Sequence, residues 1–105
     1  MGDAVVSQQK LDDGTVVVEL RGELDLAAND ALRAMLVDLV ELQRPTRIVI
    51  DLLHVSFVDS TGIGALVAGY NAAIDSGVDY TVRAVAPFVE RQLRLTGVYS
   101  QLVST

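Results

Sequence analysis

The chain contains no cysteine. Disulfides, zinc–thiolate sites and thiol nucleophiles are thereby excluded, and the absence fits a reducing compartment such as the cytoplasm. Lysine is nearly absent too: Lys10 stands alone beside seven arginines. The basic residues are scattered and outnumbered by acidic ones, leaving a formal net charge of −6. Nucleic acids and anionic membranes both demand a clustered basic face, so neither is an expected partner. No apolar run approaches the roughly 18 residues a membrane helix needs. Met1-Gly2-Asp3-Ala4 has no basic segment leading into an apolar stretch, so no signal peptide is expected. Repeats, linkers and low-complexity segments are missing as well.

What is present is a hydrophobic half in 105 residues, which predicts one domain, residues 1–105, with one core. Ala4 to Gln9 reads as a first strand. Asp12-Asp13-Gly14 is a turn signal, and Thr15 to Arg21 follows as a second strand, with Val16, Val18 and Leu20 on one face. Gly22-Glu23-Leu24-Asp25 is expected to break that strand. Ala28 to Gln43 has a helical stripe of Leu32, Met35, Leu36, Leu39 and Leu42, stopped by Pro45. Thr46 to Leu52 is the continuous apolar run of a central parallel strand, and Leu53 to Val58 reads as a connecting loop. A helix from Ser60 to Ser76 carries Ile63, Leu66, Val67, Tyr70 and Ile74 and ends at Gly77. Asp79 to Val85 is a further strand. Pro87 opens a third helix, Gly97 closes it, and Tyr99 to Val103 forms a short terminal piece. The order β-β-α-β-α-β-α predicts an α/β fold. It has a mixed, mostly parallel sheet, an N-terminal antiparallel strand and three to four helices.

The chemistry concentrates in Asp59-Ser60-Thr61-Gly62-Ile63-Gly64, which joins a strand to a helix. Free N–H groups and the positive end of the dipole meet at a helix start and tolerate an anion, including a phosphate carried by a serine. The plain explanation of these residues is capping, since Asp, Ser and Thr are all preferred there. Three such residues in a row exceed what one cap needs, and Ile63 stands where a capping box would place Glu or Gln. Gly62 and Gly64 each cost helix stability relative to alanine. They serve either close helix–sheet packing or the near approach of a partner.

Enzymatic alternatives are weaker. His54, Asp59 and Ser60 are the residue types of a hydrolase triad, but no Gly-x-Ser-x-Gly elbow is present and all three fall in one short segment. Asp51 is placed like the phosphoacceptor of receiver domains, yet the acidic pair and the late lysine of those domains are missing. Neither Gly-x-Gly-x-x-Gly nor a P-loop occurs, and Asp51 with Asp59 is too small a set for a metal. No enzyme activity, cofactor or metal is expected.

The hexapeptide from Asp59 to Gly64 resembles the phosphorylation-site motif of the STAS domain, in its anti-sigma factor antagonist branch. Arg21-Gly22-Glu23-Leu24-Asp25 is similar to the family's Gly-Glu-Leu/Ile-Asp turn after the second strand. Leu95-Thr96-Gly97-Val98 is similar to the close of its third helix. The three blocks stand in family order over almost the whole chain.

The resemblance implies a partner switch. The unphosphorylated protein binds an anti-sigma factor that is also a serine kinase, which frees a sigma factor for transcription. Phosphorylation at Ser60 loosens the complex and a serine phosphatase resets it. Thr61 is a secondary acceptor candidate or a cap. Asp59 orients the Ser60 hydroxyl or touches the kinase. Glu23 and Asp25 shape the turn, cap the first helix or meet the partner. Ser60, Thr61, Gly62 and Gly64 complete the expected contact surface. The alternative is a STAS subunit that docks on a transporter or ATPase assembly and has no phosphorylation cycle.

Overall fold

A tight turn starts the sheet. The Asp13 carboxylate accepts from the Thr15 amide at 2.9 Å. Gly14 adopts φ +90°, a conformation open to glycine at little cost. The turn sets β1, Val5–Lys10, antiparallel to β2, Thr15–Leu24. The computed structural model describes residues 5–83 and 85–103, so Ala4, expected to start the first strand, and Ala84, expected within the last, lie outside the described residues. Val16, Val18 and Leu20 face the core as expected, while Glu19 and Arg21 pair with each other on the opposite face.

β2 does not break at Gly22. It runs on to Leu24 because β3, Arg47–Val58, accompanies it in parallel to the end. The segment expected as a loop, Leu53 to Val58, is therefore strand. Ten residues of β2 face twelve of β3, and the excess is taken up at two irregularities. One falls between Asp51 and His54, the other between Val55 and Phe57. Such bulges destroy the two-residue alternation that marks a strand in sequence. Gly22 sits at the second with φ +90°.

Between these strands the chain forms α1, Asn29–Asp38, then a π-helical turn at Leu39–Gln43. The expected continuous helix from Ala28 to Gln43 is thus divided. The wider turn rotates the side chains out of α-helical phase, so Val40 is buried and Leu42, expected in the stripe, is 77% exposed. α2, Ser60–Ser76, has the anticipated limits and ends at Gly77 with φ +71°. Its buried face is Ile63, Ala65, Leu66, Gly69 and Ala73. Ile74, expected in the stripe, faces outward, and Ala73 takes the core-facing position beside it.

β4, Asp79–Arg83, pairs in parallel with β3 and completes the order β1-β2-β3-β4; Val85, expected in this strand, lies beyond it. α3, Pro87–Leu95, has its proline in the first turn, and Gly97 follows it with φ +78°. The terminal piece is a one-turn helix, α4, Tyr99–Leu102, after which Val103 bridges Val82. Leu20, Leu36, Ile50, Leu66, Leu93 and Leu102 join one core. Each stabilises the fold by about 1.5–3 kcal/mol through burial. Among the described residues no helix is long and apolar enough to cross a membrane.

Candidate functional site

The site is built where β2 and β3 end together. Leu24 pairs with Val58, and the Asp59 amide donates to the Leu24 carbonyl at 3.2 Å. Three residues later, Gly62 passes so close to this carbonyl that a Cβ on it would lie 2.1 Å from the oxygen. Only glycine permits that approach. The Arg21–Asp25 block and the Asp59–Gly64 block, distant in sequence, thus meet through one backbone group.

Asp59 is the N-cap of α2. Its extended backbone turns the carboxylate back over the first turn, where Oδ1 accepts from the Thr61 amide at 2.9 Å and the Gly62 amide at 3.0 Å. The same oxygen accepts from the Thr61 hydroxyl at 2.5 Å. The Thr61 hydroxyl bond leads the causes that hold the Asp59 carboxyl below the usual carboxylate range. Partial burial opposes it, and the amides of Gly62, Thr61 and Leu26 add to it. Asp59 therefore engages Thr61, not Ser60 as one sequence expectation had it.

Ser60 is the first residue of α2 and is exposed. Among the described residues nothing hydrogen-bonds its hydroxyl. The two glycines differ. Gly62 is buried against Leu24, whereas the nearest atom to a Cβ on Gly64 would be the Arg33 guanidinium at 3.9 Å. Glu23 is a half-buried strand residue in register with Phe57, not a loop residue. Asp25 caps the turn before α1 rather than α1 itself: its carboxylate accepts from the Ala27 amide at 3.1 Å. The N-cap of α1 is Ala28. Glu23, Asp25 and Asp59 thus gather at the same end of the sheet.

Three residues here escaped the sequence. Leu26 is 72% exposed, and its amide faces the Asp59 carboxylate. Phe57 stacks on Phe88 with ring centres 6.1 Å apart, joining the end of β3 to the start of α3. A bare leucine within an acidic turn was the available signal for Leu26. The phenylalanine pair had none, being 31 residues apart.

His54 lies within β3, level with Arg21. That places it roughly 13 Å up the strand from Val58, so no triad forms with Asp59 and Ser60. Asp51 is tied into the sheet by Arg83 at 3.4 Å and the Leu53 amide at 2.9 Å. Among the described residues no group of acids and histidine could hold a metal ion. A cleft of about 480 Å³ lined by Arg47, Asp79, Tyr80 and Gln101 lies at the other end of the sheet.

A mixed four-stranded sheet whose central strand delivers an exposed serine to a helix start defines a STAS-type domain. The model of the STAS domain matches residues 7–103, and the chain belongs to that family. It is 30% identical over 86 residues to the anti-sigma F factor antagonist of Paenibacillus polymyxa, covering 82% of this chain and 74% of the relative. A crystal structure of an anti-sigma factor antagonist from Mycobacterium paratuberculosis matches with a TM-score of 0.83 at 30% identity, covering 98% of this chain and 87% of that one. The anti-sigma factor antagonist SpoIIAA in its unphosphorylated form shares the fold. Its TM-score is 0.79 at 21% identity, over 96% of this chain and 88% of that one.

Proposed function

We propose that this chain is a cytoplasmic anti-sigma factor antagonist that binds an anti-sigma factor with serine kinase activity when unmodified. Binding frees a sigma factor, phosphorylation of Ser60 releases the kinase, and a serine phosphatase restores the unmodified form. The domain is a binding partner and not itself an enzyme. The observation that carries this is the division of labour at the start of α2. Asp59 does the capping, so Ser60 is exposed with a hydroxyl the fold does not use. The antagonists named among its relatives support the sigma-factor setting.

The electrostatics favour a switch. A phosphoserine adds about −1.5 to −2 charges. At a helix start the dipole accommodates it, so the fold is not threatened. In a contact surface already holding Asp59, Glu23 and Asp25, the same charge must be desolvated beside like charges. A penalty of about 3 kcal/mol raises a dissociation constant more than a hundredfold.

The test is incubation of the full chain with a panel of anti-sigma serine kinases and ATP, followed by intact mass, site mapping and a binding titration. One phosphate on Ser60 and a kinase affinity reduced at least tenfold are expected, with Ser60→Asp giving a smaller loss in the same direction. Equal affinity for the unmodified, phosphorylated and Ser60→Asp forms would overturn the switch. Binding to a transporter or ATPase subunit without phosphate incorporation would replace it with the docking role.

A further inference from the structure

Among the described residues, the helices pack on one side of the sheet. Val18, Leu20, Ile48 and Ile50 point to that side and join the core with Leu66 and Leu93. The residues between them point the other way, because side chains alternate along a strand. On that second side they lie in rows across the strands. Val17, Val49 and Thr81 are in register and form a middle row. The row nearer the strand starts sets Arg47 beside Asp79, and the row nearer the strand ends sets Asp51 beside Arg83. Both arginines and Asp79 are more than half exposed. Among the described residues, the groove that crosses this side is lined by strand residues alone.

We propose that this bare sheet face binds a second copy of the chain. Its charges change sign across the middle row. On β3 the arginine precedes the acid, and on β4 the acid precedes the arginine. A two-fold axis along the middle row, between two such faces, turns one copy end over end and keeps each strand opposite itself. Arg47 then stands opposite Asp51 of the second copy, and Asp79 opposite its Arg83. The symmetry repeats both pairs around a centre of Val17 and Val49. Packed sheets lie about 10 Å apart, a gap that an arginine and a carboxylate reach across from opposite sides. Asp51 has room for a second guanidinium. A carboxylate offers about four acceptor positions, and here the Leu53 amide and Arg83 take two. An axis along the strands also matches the charges of β3 and β4, but it leaves β1 and β2 beyond the edge of the second copy.

The face is roughly 19 Å across its strands and 17 Å along them. That is less than the about 800 Å² a side of a stable interface, so the dimer is weak and forms at high concentration. The net charge of −6 on each chain opposes it at long range. At about 0.15 M salt those distant charges are screened beyond about 8 Å, while the facing pairs still act. Ser60 stays open on both copies, because α2 packs on the opposite side of the sheet. The antiparallel strands set the two serines at opposite ends of the dimer.

Sedimentation velocity of the full chain in about 150 mM salt, from about 10 µM to about 1 mM, tests the association. The average mass should rise with concentration toward that of a dimer. In amide NMR spectra, the shifts that follow dilution should centre on Val17, Val49 and Thr81 and spare α1 and α2. A chain that is monomeric at the highest concentration overturns the proposal, as do dilution shifts confined to the helices.

Charge reversal tests the axis. Asp79→Arg and Arg83→Glu should each weaken self-association at least tenfold, since each sets like charges opposite one another twice. Mixed in equal amounts, the two variants should associate to within about tenfold of wild type. The arginine introduced on one copy meets the glutamate introduced on the other, and native Arg83 meets native Asp79 at the second contact. Folding of each variant is checked by circular dichroism; if either unfolds, the dilution shifts of wild type decide. Folded variants that self-associate like wild type overturn the proposal. A folded mixture that stays monomeric does so too, because only the end-over-end axis brings position 79 opposite position 83.

Discussion

At the scale of single residues, the two glycines of α2 separate what their sequence spacing joined. Gly62 abuts the Leu24 carbonyl, so Gly62→Ala forces the helix start away from β2 and should cost about 1–3 kcal/mol. Gly64 has room for a methyl group, and Gly64→Ala should gain up to about 1 kcal/mol from helix propensity. Thermal melts of the two variants should therefore move in opposite directions, and a fall of similar size in both would contradict the geometry. Under the proposed function Gly64→Ala still weakens kinase binding, because the methyl lies one helical turn beyond Ser60 on the contact surface. A titration in which it binds as tightly as wild type removes Gly64 from that surface. Ser60→Ala should leave stability within about 0.5 kcal/mol of wild type, since the cap belongs to its neighbour. A urea midpoint showing a larger loss would mean that the Ser60 hydroxyl supports the fold after all.

At the scale of elements, the helix α2 depends on one carboxylate. Asp59→Ala should destabilise the chain by about 0.5–2 kcal/mol at neutral pH. The folded state lowers the Asp59 pKa below its unfolded value of about 3.9. Its contribution is therefore complete above that value and disappears as pH falls through the lowered one. Urea denaturation of wild type and Asp59→Ala should show a stability gap at pH 7 that narrows in strong acid; a gap constant with pH would refute the assignment. This helix was also the most legible element in the sequence. A cap, a helical stripe and a terminal glycine all agreed, and its limits came out at Ser60 and Ser76. The neighbouring stretch from Leu53 to Val58 was illegible for an equally physical reason. Two bulges place buried residues three apart, at Leu52, Val55 and Val58, a spacing unlike the two-residue alternation of a regular strand. The end of β2 was hidden because Gly22 signals a break, and only β3 alongside it holds the strand together. The candidate site was legible in its residue types and in their convergence on one sheet end. Which hydroxyl the cap engages was not, because that depends on the rotation of Asp59 over the first turn.

At the scale of the whole molecule, the helices are joined to the sheet through close contacts as much as through apolar bulk. The Tyr80 hydroxyl donates to the Leu66 carbonyl at 2.9 Å, which ties β4 to α2. A Cβ on Gly69 would come within 2.7 Å of that hydroxyl and 3.1 Å of Leu36. Gly69→Ala should cost about 1–3 kcal/mol, and Tyr80→Phe about 0.5–1.5 kcal/mol. The double variant should be more stable than the sum of the two losses predicts, because removing the hydroxyl makes space for the methyl. Strict additivity in a denaturation cycle would show that the crowding is with Leu36 instead. The Leu24 carbonyl has a wider consequence. It accepts the Asp59 amide and lies hard against Gly62, so the acidic turn and the start of α2 share one backbone anchor. Under the proposed function, a phosphate on Ser60 adds its charge beside that anchor without breaking either contact, so the message reaches the facing partner as charge and not as a change of shape.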